Sequence, residues 1–152
     1  MTGWRWAVLS SSLVLMSLGC NSSAPEPASM DIPWAQVRVS IVRMATDPFL
    51  QRFNLTMTVT KSGACSSTTE LFPDTGYAGR RNVYQAMNGV LYVIGQYDAR
   101  QIDSQTCQTT LSEFRHLDRQ VVFLGSFDQN DEHRWMYFPA TQRPELPFDK
   151  RS

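Results

Sequence analysis

The sequence has few of the residues that most catalytic, metal and nucleic-acid sites require. It contains only two histidines, His116 and His133, and neither has a second histidine or a cysteine at metal-ligand spacing. Charge of neither sign is in excess, with 14 Lys+Arg against 14 Asp+Glu, which argues against nucleic acid as a partner. Gly-x-Ser-x-Gly elbows and phosphate-binding glycine loops are also missing. We therefore expect a non-enzymatic protein without a metal or a cofactor.

No apolar run is long enough to cross a membrane. The mainly apolar run after Arg5 carries no charge and extends from Ala7 to Leu18, 12 residues. As a helix it would measure about 18 Å, against about 30 Å for the hydrocarbon core of a bilayer. A basic start, a short apolar run and small residues after it are typical of a secretory signal peptide. The sequence therefore predicts a removable leader over residues 1–19.

The end of this leader resembles a known processing signal. Ser17-Leu18-Gly19-Cys20 is similar to the lipobox of bacterial lipoproteins. The resemblance implies that the thiol of Cys20 is acylated and that the leader is cut before it. It also implies that Asn21, where an Asp would retain the protein at the inner membrane, directs export to the outer membrane. We expect a lipid-anchored, periplasm-facing protein, with the inner membrane or the cell surface as alternatives.

Three cysteines are present, and the resemblance assigns the first of them to lipid. Cys65 and Cys107 then remain in an oxidising compartment, where a disulfide is expected. The closed loop would stabilise the fold by about 4 kcal/mol. The alternative is two separate buried thiols.

The mature chain divides into three parts. Residues 20–33 contain three prolines and few apolar side chains, which predicts a lipidated N-terminus followed by a flexible tether. Residues 34–139 form the predicted globular domain, and one domain is what the length of 152 residues allows. Residues 140–152 predict an irregular C-terminal tail.

Within this domain, alternation of apolar and polar residues predicts β-strands over 37–41 and 53–59. Apolar runs over 121–127 and 134–138 predict a hairpin. A second hairpin is expected over 83–94, with Asn88-Gly89 as a type I′ turn. A short helix over 110–117 is predicted by a capping box. The expected fold is mainly β: a small antiparallel β-sandwich or barrel of about six strands with one short helix.

The loop over 72–81 is the predicted partner-binding surface. It contains two glycines that would present Tyr77, Arg80 and Arg81 outward, and aromatic and arginine side chains are enriched at interfaces. The partner would be a periplasmic protein or peptidoglycan. The alternative is an ordinary surface loop, in which the two arginines are only solvent-exposed side chains at the start of a strand.

Two motifs suggest other chemistry. Asp74-Thr75-Gly76 resembles the active-site triplet of aspartic proteases, which would imply a homodimer with paired carboxylates, although the same residues suit a turn. Asp128, Asn130 and Glu132 have the spacing of calcium ligands, but a polar hairpin loop explains them equally. The favoured function is a membrane-anchored binding or envelope-assembly module. The alternatives are a periplasmic inhibitor or immunity lipoprotein and, more remotely, an aspartic protease that uses Asp74.

Overall fold

A computed structural model describes residues 24–47, 49–76, 79–113 and 120–148 of the chain. Within these residues, ten strands form two antiparallel sheets that enclose one hydrophobic core, so the fold is a β-sandwich. No helix in the described ranges is long and apolar enough to cross a membrane. Sheet 1 has the order β1-β2-β3-β4, comprising Glu26–Ile32, Val37–Ala45, Phe53–Lys61 and Cys65–Asp74. Sheet 2 has the order β10-β9-β5-β6-β7-β8, comprising Trp135–Pro139, Val121–Gln129, Arg81–Ala86, Leu91–Ile94, Ala99–Ile102 and Thr109–Ser112.

The alternating sequences form the strands that they predict. In sheet 1, Val39 pairs with Val59 and Ile41 pairs with Met57, and all four side chains are fully buried in the core. Residues between them, such as Thr58, point away from the core because successive side chains of a strand face opposite sides. These alternating strands lie in the middle of their own sheet.

The predicted helix over 110–117 is wrong at its start. Thr109–Ser112 is strand β8, and its residue Thr110 pairs with Gln101 of β7. The remaining residues of the prediction, from 114 onward, lie outside the described residues. The capping signal was overridden because β7 offers an open edge, and two consecutive β-branched threonines suit a strand that pairs with it.

The flexible tether predicted over residues 20–33 is wrong where β1 begins. From Glu26 onward the chain pairs with β2, and Ala28, Met30 and Ile32 alternate into the core. Pro27 is tolerated because β1 lies at the edge of sheet 1, where one side of the strand needs no partner. The folded domain therefore starts at residue 26 and not at 34.

The hairpin at Asn88-Gly89 is confirmed, but its turn type is not I′. Only Gly89 has a positive φ, of 82°. The Gly89 N–H donates to the Ala86 carbonyl and the Ala86 N–H donates to the Val90 carbonyl, both at 2.9 Å. This is a type I turn followed by a left-handed glycine, which is the common longer hairpin connection.

Residues 140–148 contain no strand and cover part of the outer face of sheet 2. Tyr84 lies on this face, and its hydroxyl donates to the Glu145 carboxylate at 2.7 Å. Burial and this hydrogen bond raise the pKa of Tyr84 to about 12. Asn82 Nδ2 donates to the Leu146 carbonyl at 3.3 Å, and Phe148 packs against the same small apolar cluster. The tail thus belongs to the domain as far as residue 148.

Side chains close the two edges of sheet 1 against sheet 2. At the β1 edge, the Glu26 carboxylate accepts the backbone N–H of Trp135 at 3.0 Å. At the β4 edge, the Asp98 carboxylate accepts the backbone N–H of Phe72 at 3.1 Å, and Arg100 donates to the Glu70 carbonyl at 3.1 Å. Edge strands present unpaired backbone groups, and these contacts satisfy several of them. The sandwich therefore has two polar seams.

The predicted disulfide joins Cys65 to Cys107 and crosses the β4 seam. Cys65 begins β4 in sheet 1, whereas Cys107 lies between β7 and β8 of sheet 2 and is fully buried. The Ser67 hydroxyl donates to the Cys107 carbonyl beside it. The disulfide is thus the covalent part of this seam.

Reduction should weaken this seam and lower the melting temperature. Loss of the cross-link is expected to cost about 4 kcal/mol, because the reduced chain regains the entropy of a 42-residue separation when it unfolds. Thermal unfolding with and without a reductant measures the effect, with Cys65→Ser/Cys107→Ser as the control that the reductant must leave unchanged. Two thiols that alkylate in the native, oxidised protein would contradict the assignment.

Candidate functional site

The charged residues that face the interior gather at one end of the sandwich. The buried side chains of β2 are Val37, Val39, Ile41 and Arg43. The last inward-facing residue of this strand is therefore charged. The same end receives Asp74 from the finish of β4, Arg81 from the start of β5 and Asp98 from the residue before β7. We call this the polar end, defined by Arg43, Asp74, Arg81 and Asp98. The opposite end, which holds Cys65 and Cys107, is the disulfide end.

Arg81 does not point outward, so its predicted role in a partner surface is wrong. Its side chain is 2% exposed and lies between the two sheets. Nη2 donates to the Phe72 carbonyl at 2.5 Å, and Nη1 donates to the Gly79 carbonyl at 3.1 Å. Arg81 pairs with Phe127 in β9, and a residue opposite a core phenylalanine on the same face must also point inward.

Two carboxylates compensate the buried charge of Arg81. Asp98 lies 3.5 Å away, measured from Oδ1 to Arg81 Nε, and its side chain is 1% exposed. Its other oxygen, Oδ2, lies 3.7 Å from Arg100 Nε. Burial lowers the pKa of Arg81, and the charges of Asp98 and Asp74 act in the opposite direction. The polar end is therefore a network of alternating charges.

Two glycines leave room for this network. A Cβ at Gly95 would lie 2.7 Å from Cζ of Arg81. A Cβ at Gly79 would lie 2.5 Å from Oδ2 of Asp74. Real Cβ atoms do not make contacts this short with rigid neighbours, so any larger residue would displace a charged group. Gly79 and Gly95 therefore leave the space that the side chains of Asp74 and Arg81 occupy.

Arg43 is the second buried cation at this end, and its burial was not predicted from the sequence. Its Nη2 donates to Glu26 and to the His133 carbonyl, both at 2.8 Å. Its guanidinium lies 4.3 Å from the ring centroid of Phe53 and 5.4 Å from that of Trp135. Nε and Nη1 of Arg43 have no hydrogen-bond partner among the described residues. Cation–π contacts with the two aromatic rings stabilise the guanidinium instead. The available signal was the inward position of Arg43 in the alternation of β2.

A cleft of about 260 Å³ opens at the polar end. We call it the end cleft, and its lining includes Gln51, Asp74, Arg80, Gln96, Asp128 and Phe148. Gln51, Arg80 and Gln96 come from three different connections between strands, Asp74 and Asp128 come from the ends of β4 and β9, and the tail contributes Phe148. Amide, carboxylate and guanidinium groups together can both donate and accept hydrogen bonds to a polar ligand.

Arg80, from the predicted partner-binding loop, lines this cleft. Nη2 donates to the Pro147 carbonyl at 2.6 Å, and the guanidinium lies 4.8 Å from the ring centroid of Phe148. The tail therefore holds Arg80 in one position. Tyr77 lies outside the described residues, so the structure brings only Arg80 of the three predicted residues to a candidate ligand site.

The residues of the two alternative motifs bind parts of their own chain. Asp74 is 4% exposed, and its Oδ1 accepts the Gly76 N–H at 2.8 Å, as in an ordinary Asx turn. Asp128 binds Arg143 at 2.9 Å, and Glu132 binds Arg134 at 2.7 Å. No group of three or more possible metal-binding side chains is present in the part of the chain that the structure describes.

The chain matches no protein-family model, no curated protein and no solved structure. The site has therefore to be interpreted from its own geometry.

The charge network at the polar end should be essential for stability. Arg81→Ala leaves Asp98 buried without its nearest cation and should cost about 3–5 kcal/mol. Arg38→Ala is the matched control, because Arg38 pairs with Asp31 at 2.7 Å on the surface, where such pairs contribute little. Urea unfolding of both variants measures the difference. Equal losses would show that burial of Arg81 carries no special weight.

Proposed function

We propose that this protein is a lipid-anchored, periplasm-facing module of the cell envelope that binds a polar partner in the end cleft without catalysing a reaction. The anchor is the acylated Cys20, and the outer membrane is the proposed location. The observation that carries the proposal is the end cleft. It joins Arg80, Gln51 and Gln96 at one end of a rigid sandwich.

The fixed position of Arg80 supports a binding role. A guanidinium that already has a backbone acceptor and an aromatic neighbour loses little side-chain freedom when a ligand binds. Arginine makes bidentate hydrogen bonds to carboxylates, which occur both in protein partners and in the peptide stems of peptidoglycan. Gln51 is exposed at the rim and can contact backbone amides of either partner.

The aspartic protease alternative receives less support. Its mechanism needs a second carboxylate about 3 Å from Asp74. Asp74 is 4% exposed, and Gly79 lies directly against its Oδ2. A second copy of the chain would have to displace this loop to bring its own Asp74 into range. The inhibitor or immunity alternative uses the same cleft, and the identity of the bound partner separates it from an assembly role.

Acylation is the first test. Cells that express the full chain and receive an alkyne analogue of palmitate should label the wild-type protein, whereas Cys20→Ser should be unlabelled and should keep its leader. Acyl transfer needs the thiol, and serine does not replace it in this processing. Equal labelling of Cys20→Ser would overturn the lipoprotein proposal and the location with it.

The cleft is tested by photocrosslinking in intact cells. A photoreactive amino acid at Gln51, on the rim, should give a discrete adduct with a protein or with a peptidoglycan fragment. The control position is Asn88, which is exposed in the β5–β6 turn at the disulfide end. Arg80→Ala should reduce the yield at Gln51 by tenfold or more, since truncating a true anchor costs about 2 kcal/mol. Adducts at Asn88 but not at Gln51 would move the binding surface to the disulfide end.

A further inference from the structure

The most exposed large apolar side chain of the described residues is Phe49, in the connection between β2 and β3. Phe49 is 92% exposed and the adjacent Leu50 is 50% exposed. Both lie at the polar end, because β2 finishes there with Arg43 and Ala45 and β3 begins there with Phe53. Adjacent exposed apolar residues on a domain of this size indicate a contact with another surface.

The loop holds these two side chains outward. The Asp47 carboxylate accepts the backbone N–H groups of Phe49 and Leu50 at 2.8 and 2.9 Å. These two hydrogen bonds lower the pKa of Asp47, so its charge is retained in this position. Across the base of the loop, the Thr46 N–H donates to the Arg52 carbonyl at 2.9 Å. The backbone of Phe49 and Leu50 is thus bound to the side chain of Asp47.

The chain enters the domain at this same end. Strand β1 begins at Glu26, which pairs with Arg43 of β2. Only the five residues 21–25 separate the proposed acylation site from the strand, and an extended chain from Cys20 to Glu26 spans about 20 Å. The strands that lead to the disulfide end, such as the nine-residue β2, measure about 30 Å. The polar end is therefore the end that an anchor at Cys20 would keep at the bilayer.

We propose that Phe49 and Leu50 insert into the membrane interface as a second attachment point, so that the lipid anchor and this loop together orient the domain with its polar end on the bilayer. The inference rests on the proposed acylation of Cys20. Apolar side chains at the tip of a loop gain free energy on entering the acyl boundary, and a single anchor point leaves orientation free. The exposed side chain of Arg52 beside the tip is suited to anionic headgroups.

Depth-dependent quenching tests this orientation in the acylated protein. Gln51→Cys is labelled with a bimane fluorophore and the protein is reconstituted in vesicles of phosphatidylethanolamine, phosphatidylglycerol and a phosphatidylcholine brominated on its acyl chains. Asn88→Cys at the disulfide end is the matched control. Quenching should be several-fold greater at position 51 than at position 88, and Phe49→Ser/Leu50→Ser in the Gln51→Cys background should remove most of it.

The outcomes separate the two proposals. Mass spectrometry first establishes whether the reconstituted protein carries acyl groups on Cys20, and an unacylated chain overturns the proposed function and this orientation with it. In an acylated chain, equal quenching at positions 51 and 88 overturns the orientation alone. Quenching at position 51 that survives Phe49→Ser/Leu50→Ser also overturns it, because proximity to the anchor would then explain the signal.

Discussion

The buried guanidinium of Arg81 is the group on which the polar end depends. It lies between the sheets, donates to the backbone of β4 at Phe72 and faces Asp98 from sheet 2. Asp98 in turn accepts the N–H of Phe72, so one arginine and one aspartate satisfy both backbone groups of the same β4 residue. Burial of two charges is expensive, and an apolar pair of similar size could fill the space. An apolar pair could not bind the open edge of β4, and this gives the ion pair a role in specifying the fold.

The seam along β4 is thus fastened at both ends by different chemistry. The disulfide between Cys65 and Cys107 holds one end covalently, and Arg81 with Asp98 holds the other. At the opposite edge of sheet 1, Glu26 joins the backbone of Trp135 to the buried Arg43. A sandwich closed on both sides has little freedom to change the separation of its sheets. The strand ends that border the end cleft are therefore held together from both sheets.

The features that could be predicted from the sequence are those set by local periodicity. The alternation of apolar and polar residues over 37–41 and 53–59 correctly predicted which side chains are buried. Successive side chains of a half-buried strand lie alternately in the core and outside it. The hairpin at Asn88-Gly89 followed from a glycine that can adopt a positive φ. The disulfide followed from counting cysteines once a lipid was assigned to the first.

The features that could not be predicted depend on partners distant in sequence. Residues 26–32 resemble a linker by composition, and only pairing with β2 makes them a strand. The capping box near Thr110 does not start a helix, because this segment pairs with the open edge of β7. A ladder of backbone hydrogen bonds stabilises the segment more than a local cap would. Arginine is a residue type typical of interaction surfaces. The burial of Arg81 depends instead on Asp98, which is 17 positions away in the sequence. The end cleft joins residues from Gln51 to Phe148, so no local motif could indicate it.

The proposed orientation restricts what the end cleft can bind. Gln51 on its rim is the immediate neighbour of Leu50, so insertion of the loop tip would place the cleft within a few ångströms of the headgroups. A partner would then have to present its polar group at the membrane surface, as a membrane-associated protein does. The exposed Trp34, in the turn at the disulfide end, would face the periplasm on the opposite side and leave a second surface for assembly. Anchor, loop and cleft at one end thus favour recognition of a ligand carried by the membrane itself.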